Sequence, residues 1–218
     1  MEERKPIDWT LEELLLMAQD GSRNVDYAVG FYYENGIHTR EDLSGAVKWY
    51  EKAAAKGHPE AQLRLGLMKA QGRGCVRDEK QAFGWLKKAA DQGNANAQFQ
   101  VGRCFEEGIG VKKDVSRAVS WYTKAARKGD LRAECCLGMY YLEGTCVEKN
   151  EKKAFACFER AAREGIPAAQ YNLAILYRYG MGTERNLQKA DLWMTKAAQQ
   201  GFALAVKDIN GEENERNE

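Results

Sequence analysis

The groups with chemistry to offer in this 218-residue chain are six cysteines, two histidines and 32 acidic side chains. Nucleophilic catalysis needs a base beside its nucleophile, and a metal centre needs several ligands at short spacing. His38 and His58 have no serine, cysteine or carboxylate partner at the spacing of a catalytic motif, so a hydrolytic triad finds no support. Cys135 and Cys136 are adjacent, and Cys104 falls about one helical turn out of alignment with Cys136. With no histidine at a neighbouring phase, these read as small buried thiols and not as a zinc centre. The GIG at Gly108 to Gly110 has the look of a phosphate loop, but it follows a helical segment instead of a strand. Acidic pairs such as Glu106 and Glu107 fit a solvated helix face. No catalytic residue, metal or cofactor is expected, and the chain reads as a non-enzyme.

Charge excludes further classes. With 33 basic against 32 acidic residues there is no field to draw the chain onto nucleic acid or an anionic membrane. No apolar run is long enough to span a bilayer. The opening MEERKPIDWTLEELLLMAQDG has mostly acidic charges and only a short apolar stretch, unlike a secretory signal. The cysteines fall at unmatched phases, whereas a stapled repeat would place a pair at the same two phases each time. Six reduced thiols, a cytoplasmic location and a monomer are the expectations.

What positions all these groups is a repeat. AVKWYEKAAAKG, from Ala46, returns as AFGWLKKAADQG, AVSWYTKAARKG, AFACFERAAREG and ADLWMTKAAQQG, closing at Gly57, Gly93, Gly129, Gly165 and Gly201, each 36 residues apart. A fixed period of this size marks a solenoid, whose units bury their apolar faces only against neighbours. Within a unit, Ala61, Leu65 and Met68 make one helical stripe, and Gly72 and Gly74 end that first helix. Asp42, Asp78, Asp114, Asn150 and Asn186 stand where the second helix needs an N-cap. Ala82, Trp85, Leu86 and Ala89 then form its buried stripe. Gly30, Gly66, Gly102 and Gly138 lie inside first helices, where glycine costs about 1 kcal/mol relative to alanine. The rings expected to press into these gaps are Trp49, Trp85, Trp121 and Trp193, or Tyr33, Phe105, Tyr141 and Tyr177. Lys69 replaces an aromatic in that second row and is expected to lay its stem along the core.

The expected class is all-α: a right-handed α/α superhelix of 36-residue helix pairs. Residues 1–21 would be a capping helix in register, with Thr10 and Glu13 as a capping box. Five repeats fill 22–204, at about 25–60, 61–96, 97–132, 133–168 and 169–204. Residues 205–218 would hold a first-type helix begun at Ala205 to Asn210 and the frayed acidic tail GEENERNE.

AQFQVGRCFEEGIGVKKDVSRAVSWYTKAARKG (Ala97 to Gly129) and its copies, over nearly the whole chain, resemble the Sel-one-like repeat family, a branch of the tetratricopeptide superfamily. The resemblance implies antiparallel helix pairs that act as an adaptor or scaffold without catalytic residues. Some secreted bacterial members carry a disulfide in each repeat, a pattern this sequence lacks, so their location and proposed penicillin binding are not carried over.

By analogy with tetratricopeptide grooves, the first helices line the concave face. Three phases about the mid-helix glycine should point inward: Tyr27, Leu63, Phe99, Cys135 and Tyr171; Phe31, Leu67, Arg103, Met139 and Ile175; and Glu34, Ala70, Glu106, Leu142 and Arg178. Aromatic and aliphatic anchors with isolated charges suit a peptide or a partner helix. The partner-binding set is Tyr27, Phe31, Leu63, Leu67, Phe99, Arg103, Glu106, Met139, Leu142, Tyr171, Ile175 and Arg178. The function expected is a protein-interaction scaffold; the alternative is an inhibitor or immunity-type protein that blocks one enzyme.

Overall fold

The computed structural model describes residues 9–217, with side chains to residue 210, so the first eight residues of the expected capping segment lie outside the described residues. Among the described residues all regular structure is helical. Helix α1 (Leu11–Met17) passes through a 3-10 turn at Ala18–Asp20 into α2 (Arg23–Asn35) and α3 (Leu43–Ala55). Then follow α4 (Pro59–Gln71), α5 (Glu79–Asp91), α6 (Ala95–Glu107), α7 (Val115–Arg127) and α8 (Leu131–Glu143). The series ends with α9 (Glu151–Arg163), α10 (Pro167–Tyr179), α11 (Leu187–Gln199) and α12 (Ala203–Asn217). None of these helices is long and apolar enough to cross a membrane.

The chain divides within α7 into two compact units, the first ending at Trp121 and the second starting at Tyr122. In the first, each helix from α1 to α6 packs on its successor; in the second, the same holds from α8 to α12.

Local chemistry fixes where each helix begins and ends. The side chains of Asp42, Asp78, Asp114, Asn150 and Asn186 accept from backbone N–H groups three residues on, at 2.8–3.0 Å. Thr10 and Glu13 form a reciprocal capping box at the start of α1. The even-numbered helices α2 to α10 stop at Gly36, Gly72, Gly108, Gly144 and Gly180, whose φ of 64–81° is the left-handed conformation that glycine adopts without strain.

Packing turns on the mid-helix glycines. A Cβ built on Gly30 would sit 2.7 Å from the Tyr50 ring, one on Gly66 2.7 Å from Leu86, and one on Gly138 2.7 Å from the Phe158 ring. The residue pressing into the gap is therefore the one after the tryptophan phase. This corrects the expectation that the tryptophans themselves, or the row of Tyr33, Phe105, Tyr141 and Tyr177, fill it. Tyr50, Leu86 and Phe158 are buried; of the tryptophans, Trp121 is buried and Trp49, Trp85 and Trp193 are only half-buried. A helix turns 100° per residue, so neighbouring positions cannot share one target. The fifth repeat makes the same joint with Ala174 and Met194, a methyl group facing a slim unbranched side chain.

Two other positions are instructive. The Lys69 stem is buried and its ammonium reaches the Glu51 carboxylate at 3.1 Å, so the lysine is anchored at its tip as well as along its length. At the far end, helix α12 begins at Ala203 and its backbone stays helical to Asn217, through the stretch expected to fray.

Two glycine substitutions separate close packing from propensity. Gly138→Ala should destabilise the protein by about 1–3 kcal/mol, because its methyl group meets the rigid Phe158 ring. Gly84→Ala, in mid α5 with open space around it, should instead stabilise by about 0.5–1 kcal/mol. Urea denaturation of both variants checks this. Stabilisation by both would show that the Gly138 gap is not a contact.

Candidate partner-binding face

The three phases about the mid-helix glycine do not share one environment. In the first row, Tyr27 stacks on His58 with ring centroids 4.5 Å apart and planes 12° apart. Its phase-equivalent Tyr171 packs on Phe202 at 5.4 Å and donates its hydroxyl to Asp208 Oδ2 at 3.1 Å. His58 and Phe202 both stand immediately before a first-type helix, so this row meets the start of the next repeat. Leu63 and Phe99, expected as accessible anchors, are accordingly only 2% and 8% exposed. They belong to the packed interior.

The second row reaches solvent. Met139 is 40% exposed, and Phe31, Leu67 and Ile175 are half-buried. Arg103 is exposed and pairs with Glu107 one turn on, at 2.8 Å. In the third row Glu106, Leu142 and Arg178 are half-buried, with Arg178 reaching Asp191 of α11 at 3.7 Å.

Glu34, in that third row, is the structural exception. Its carboxylate is buried, accepts from the Tyr50 hydroxyl at 2.7 Å, and faces Arg64 at 3.7 Å and Arg73 at 3.6 Å. A buried carboxylate with this company is neutralised and hydrogen-bonded, which is what permits its burial. Burial and the adjacent Glu34 push the Tyr50 phenol far above its ordinary range, so it stays a donor.

A further phase escaped sequence reasoning: Asp26, Gln62, Gln98, Glu134 and Gln170, one per repeat, all buried. Gln62, Gln98 and Gln170 donate their amides to the carbonyls of Ala54, Ala90 and Ala162, each eight residues earlier, at 3.0–3.2 Å. Gln62 and Gln170 also accept from Gln92 and Gln200. Asp26 pairs instead with Lys56 at 2.5 Å, and Glu134 with Arg160 at 2.6 Å. The signal was present as a polar residue of constant phase inside an apolar stripe.

Two open clefts of about 740 and 700 Å³ lie where a second-type helix begins, one near Gly182 and one near Gly110. They occupy equivalent places in two repeats and are lined by backbone turns and surface charges, as expected of a packing seam between neighbouring repeats.

A family model described as Sel1 repeat matches residues 26–58, 59–94, 95–130, 132–166 and 167–202. The chain belongs to the Sel1 repeat family. It is an all-α repeat solenoid, similar to the Sel1 repeat protein of Oxalobacter formigenes at 31% identity, with a TM-score of 0.83 over 90% of this chain and 81% of that one. The protective antigen c5321 of uropathogenic Escherichia coli is similar at 29% identity and a TM-score of 0.71, over 91% of this chain and 50% of that one. The chitin synthase regulator SKT5 of Malassezia restricta is 37% identical over 68 residues, which is 30% of this chain and 5% of that protein.

Among the thiols of this Sel1 repeat chain, burial pushes Cys104 and Cys157 up to about 11 and Cys135 up to about 12, which leaves them neutral and poorly nucleophilic. Cys146 is exposed. Alkylation of the native protein at about pH 8 should therefore modify Cys146 at least roughly tenfold faster than those three. Peptide mass spectrometry reads the order. A buried thiol that outpaces Cys146 would indicate an activated nucleophile.

His58 also titrates in a structural role, because its Nδ1 caps α4 by accepting from Ala61 N–H at 3.2 Å. Burial and the Arg23 guanidinium push the imidazole below its ordinary 6.5, with Glu60 opposing. The unfolded chain thus binds the proton more tightly than the folded one. The stabilisation is complete above 6.5 and is lost as pH falls through the lowered value. His58→Asn, which copies the cap that Asn94 makes at 2.9 Å, should gain stability relative to wild type between about pH 7 and about pH 5. Parallel stability curves for the two proteins would show that the imidazole does not titrate there.

Proposed function

We propose that this Sel1 repeat protein is a non-catalytic adaptor that holds a peptide or a partner protein along its first-type helices. One observation carries the reading. The packing phases repeat in burial, while the solvent-reaching second row changes from Phe31 and Leu67 to Arg103, Met139 and Ile175. A surface kept apolar in most repeats yet different in each suits recognition of a particular sequence, with hydrophobic anchors for affinity and charges for register. The buried thiols, held neutral, and the surface-lined clefts give a reaction no foothold. The regulator named among its relatives agrees with this class of role.

In the first unit the anchors are Tyr27, Phe31 and Leu67, with Arg103 and Glu106 as charges. In the second they are Met139, Leu142, Tyr171 and Ile175, with Arg178 beside them. Leu63 and Phe99 support these from within.

A photo-crosslinking residue placed at Met139 or Ile175 in the source cell should capture one protein in stoichiometric amount, while one at the exposed Lys48 of α3 should not. Ile175→Ala should then weaken that partner's binding by about 1–4 kcal/mol. Capture from Lys48 and not from Met139 or Ile175 would place the working surface on the second-type helices and overturn the reading.

A further inference from the structure

The buried polar phase of the first-type helices performs one repeated task, and the fourth repeat meets it with a different group. Gln62, Gln98 and Gln170 each donate an amide N–H to the carbonyl eight residues earlier, of Ala54, Ala90 and Ala162, at 3.0–3.2 Å. Those carbonyls also accept from the N–H groups of Gly57, Gly93 and Gly165, at 2.9–3.1 Å. The amide thus ties the start of a first-type helix to the end of the second-type helix before it. In the fourth repeat the same two places hold Glu134 and the Ala126 carbonyl. That carbonyl accepts from Gly129 N–H at 2.9 Å, as its equivalents do from theirs, and Ala126 and Glu134 line one cleft. An ionised carboxylate has no donor to give it.

Glu134 is buried, with one oxygen 2.6 Å from the Arg160 guanidinium and the other without accessible surface or a hydrogen-bond partner. The Gln98 amide oxygen is bare in the same way. Its amide N–H still reaches Ala90, however, and an amide does not titrate, so that joint is indifferent to pH. Glu134 can make the equivalent bond in only one of its two protonation states.

The groups around Glu134 act on its proton in both directions. Arg160 and the Cys157 thiol face it from α9, Asp130 and the Cys135 thiol from its own helix, and Arg127 of α7 lines the same cleft. Burial pushes the Glu134 carboxyl above its ordinary 4.5, Arg160 opposes, and the Asp130 charge adds to burial. Both thiols are themselves held neutral by burial.

We propose that the Glu134 carboxyl is a proton-operated joint between the end of α7 and the start of α8. With a proton bound, its O–H does what the glutamine amide does in three other repeats and donates to the Ala126 carbonyl, while the other oxygen keeps Arg160. With the proton lost, two acceptors meet with no hydrogen between them, and Arg160 alone holds the group. The folded chain binds this proton more tightly than the unfolded one. The stabilisation is therefore complete below 4.5 and is lost as pH rises through the raised value, loosening the seat of α8. The joint needs no partner, so it stands apart from the adaptor reading.

The test uses the full-length, carbon-13-labelled protein. In nuclear magnetic resonance the Glu134 carboxyl should titrate with a midpoint above 4.5, and the Ala126 backbone carbonyl should shift with the same midpoint. Arg160→Gln should raise that midpoint further, because the opposing cation is gone. Glu134→Gln, which supplies a permanent donor, should abolish the Ala126 titration. It should also raise the melting temperature by about 2–4 °C at about pH 7 and leave it near wild type at about pH 4. The proposal is overturned by a midpoint at or below 4.5, by an Ala126 carbonyl that does not follow Glu134, or by a Glu134→Gln gain that is equal at the two pH values. The wild-type titration decides the matter even if a variant fails to fold.

Discussion

Everything in this solenoid hangs on the close approach of one side chain to a bare helix backbone. At Gly30, Gly66 and Gly138 the neighbouring helix comes near enough to place a tyrosine ring, a leucine or a phenylalanine ring where a Cβ would be. The missing methyl group costs helix propensity at each site, and the dense contact it permits outweighs that loss. Once that joint is set, the faces of both helices are set with it. The alanines of the second helix turn inward, one side chain sinks into the gap, and the residue before it lies nearer the margin, as at Trp49, Trp85 and Trp193, each covered by a lysine.

A second constraint runs beside the first. Each first-type helix buries one polar side chain, and an amide suits the place because it both donates and accepts. Where the chain uses a carboxylate instead, it must find a cation: Lys56 for Asp26, Arg160 for Glu134. The Asp26 pairing leaves no orphan among the described atoms, whereas one Glu134 oxygen is buried without a hydrogen-bond partner, as is the Gln98 amide oxygen. The departure from amide to acid and the departure from tryptophan to cysteine fall in the same repeat, on facing sides of one cavity.

Binding surfaces in such an array are what remains after packing has taken its share. The row three residues before the mid-helix glycine lies against the start of the next repeat, as Tyr27 on His58 and Tyr171 on Phe202 show, so Leu63 and Phe99 are closed off while Tyr27 and Tyr171 stay half-buried. The row one residue after the glycine is left facing solvent, and there the side chains vary freely. The same geometry acts on the thiols: Cys104, Cys135 and Cys157, drawn into the joints, lose the hydration a thiolate needs, and their pKa is pushed up.

The sequence by itself determined the helix pairs, their caps and their 36-residue phase, because a glycine stop, an Asp or Asn cap and a 3.6-residue apolar stripe are local signals. It also marked the first-type helices as the varied ones. Tertiary structure alone decided which ring fills each glycine gap. Trp85 and Leu86 are one residue and 100° apart, and composition favoured the larger when geometry required the other. It decided that Leu63 and Phe99 are interior, that Glu34 is held by Tyr50, Arg64 and Arg73, and that Glu134 and Cys157 border one cleft. Those outcomes depend on distances between residues far apart in the chain, which a helical period fixes in angle about its own axis and not in depth beneath a neighbour.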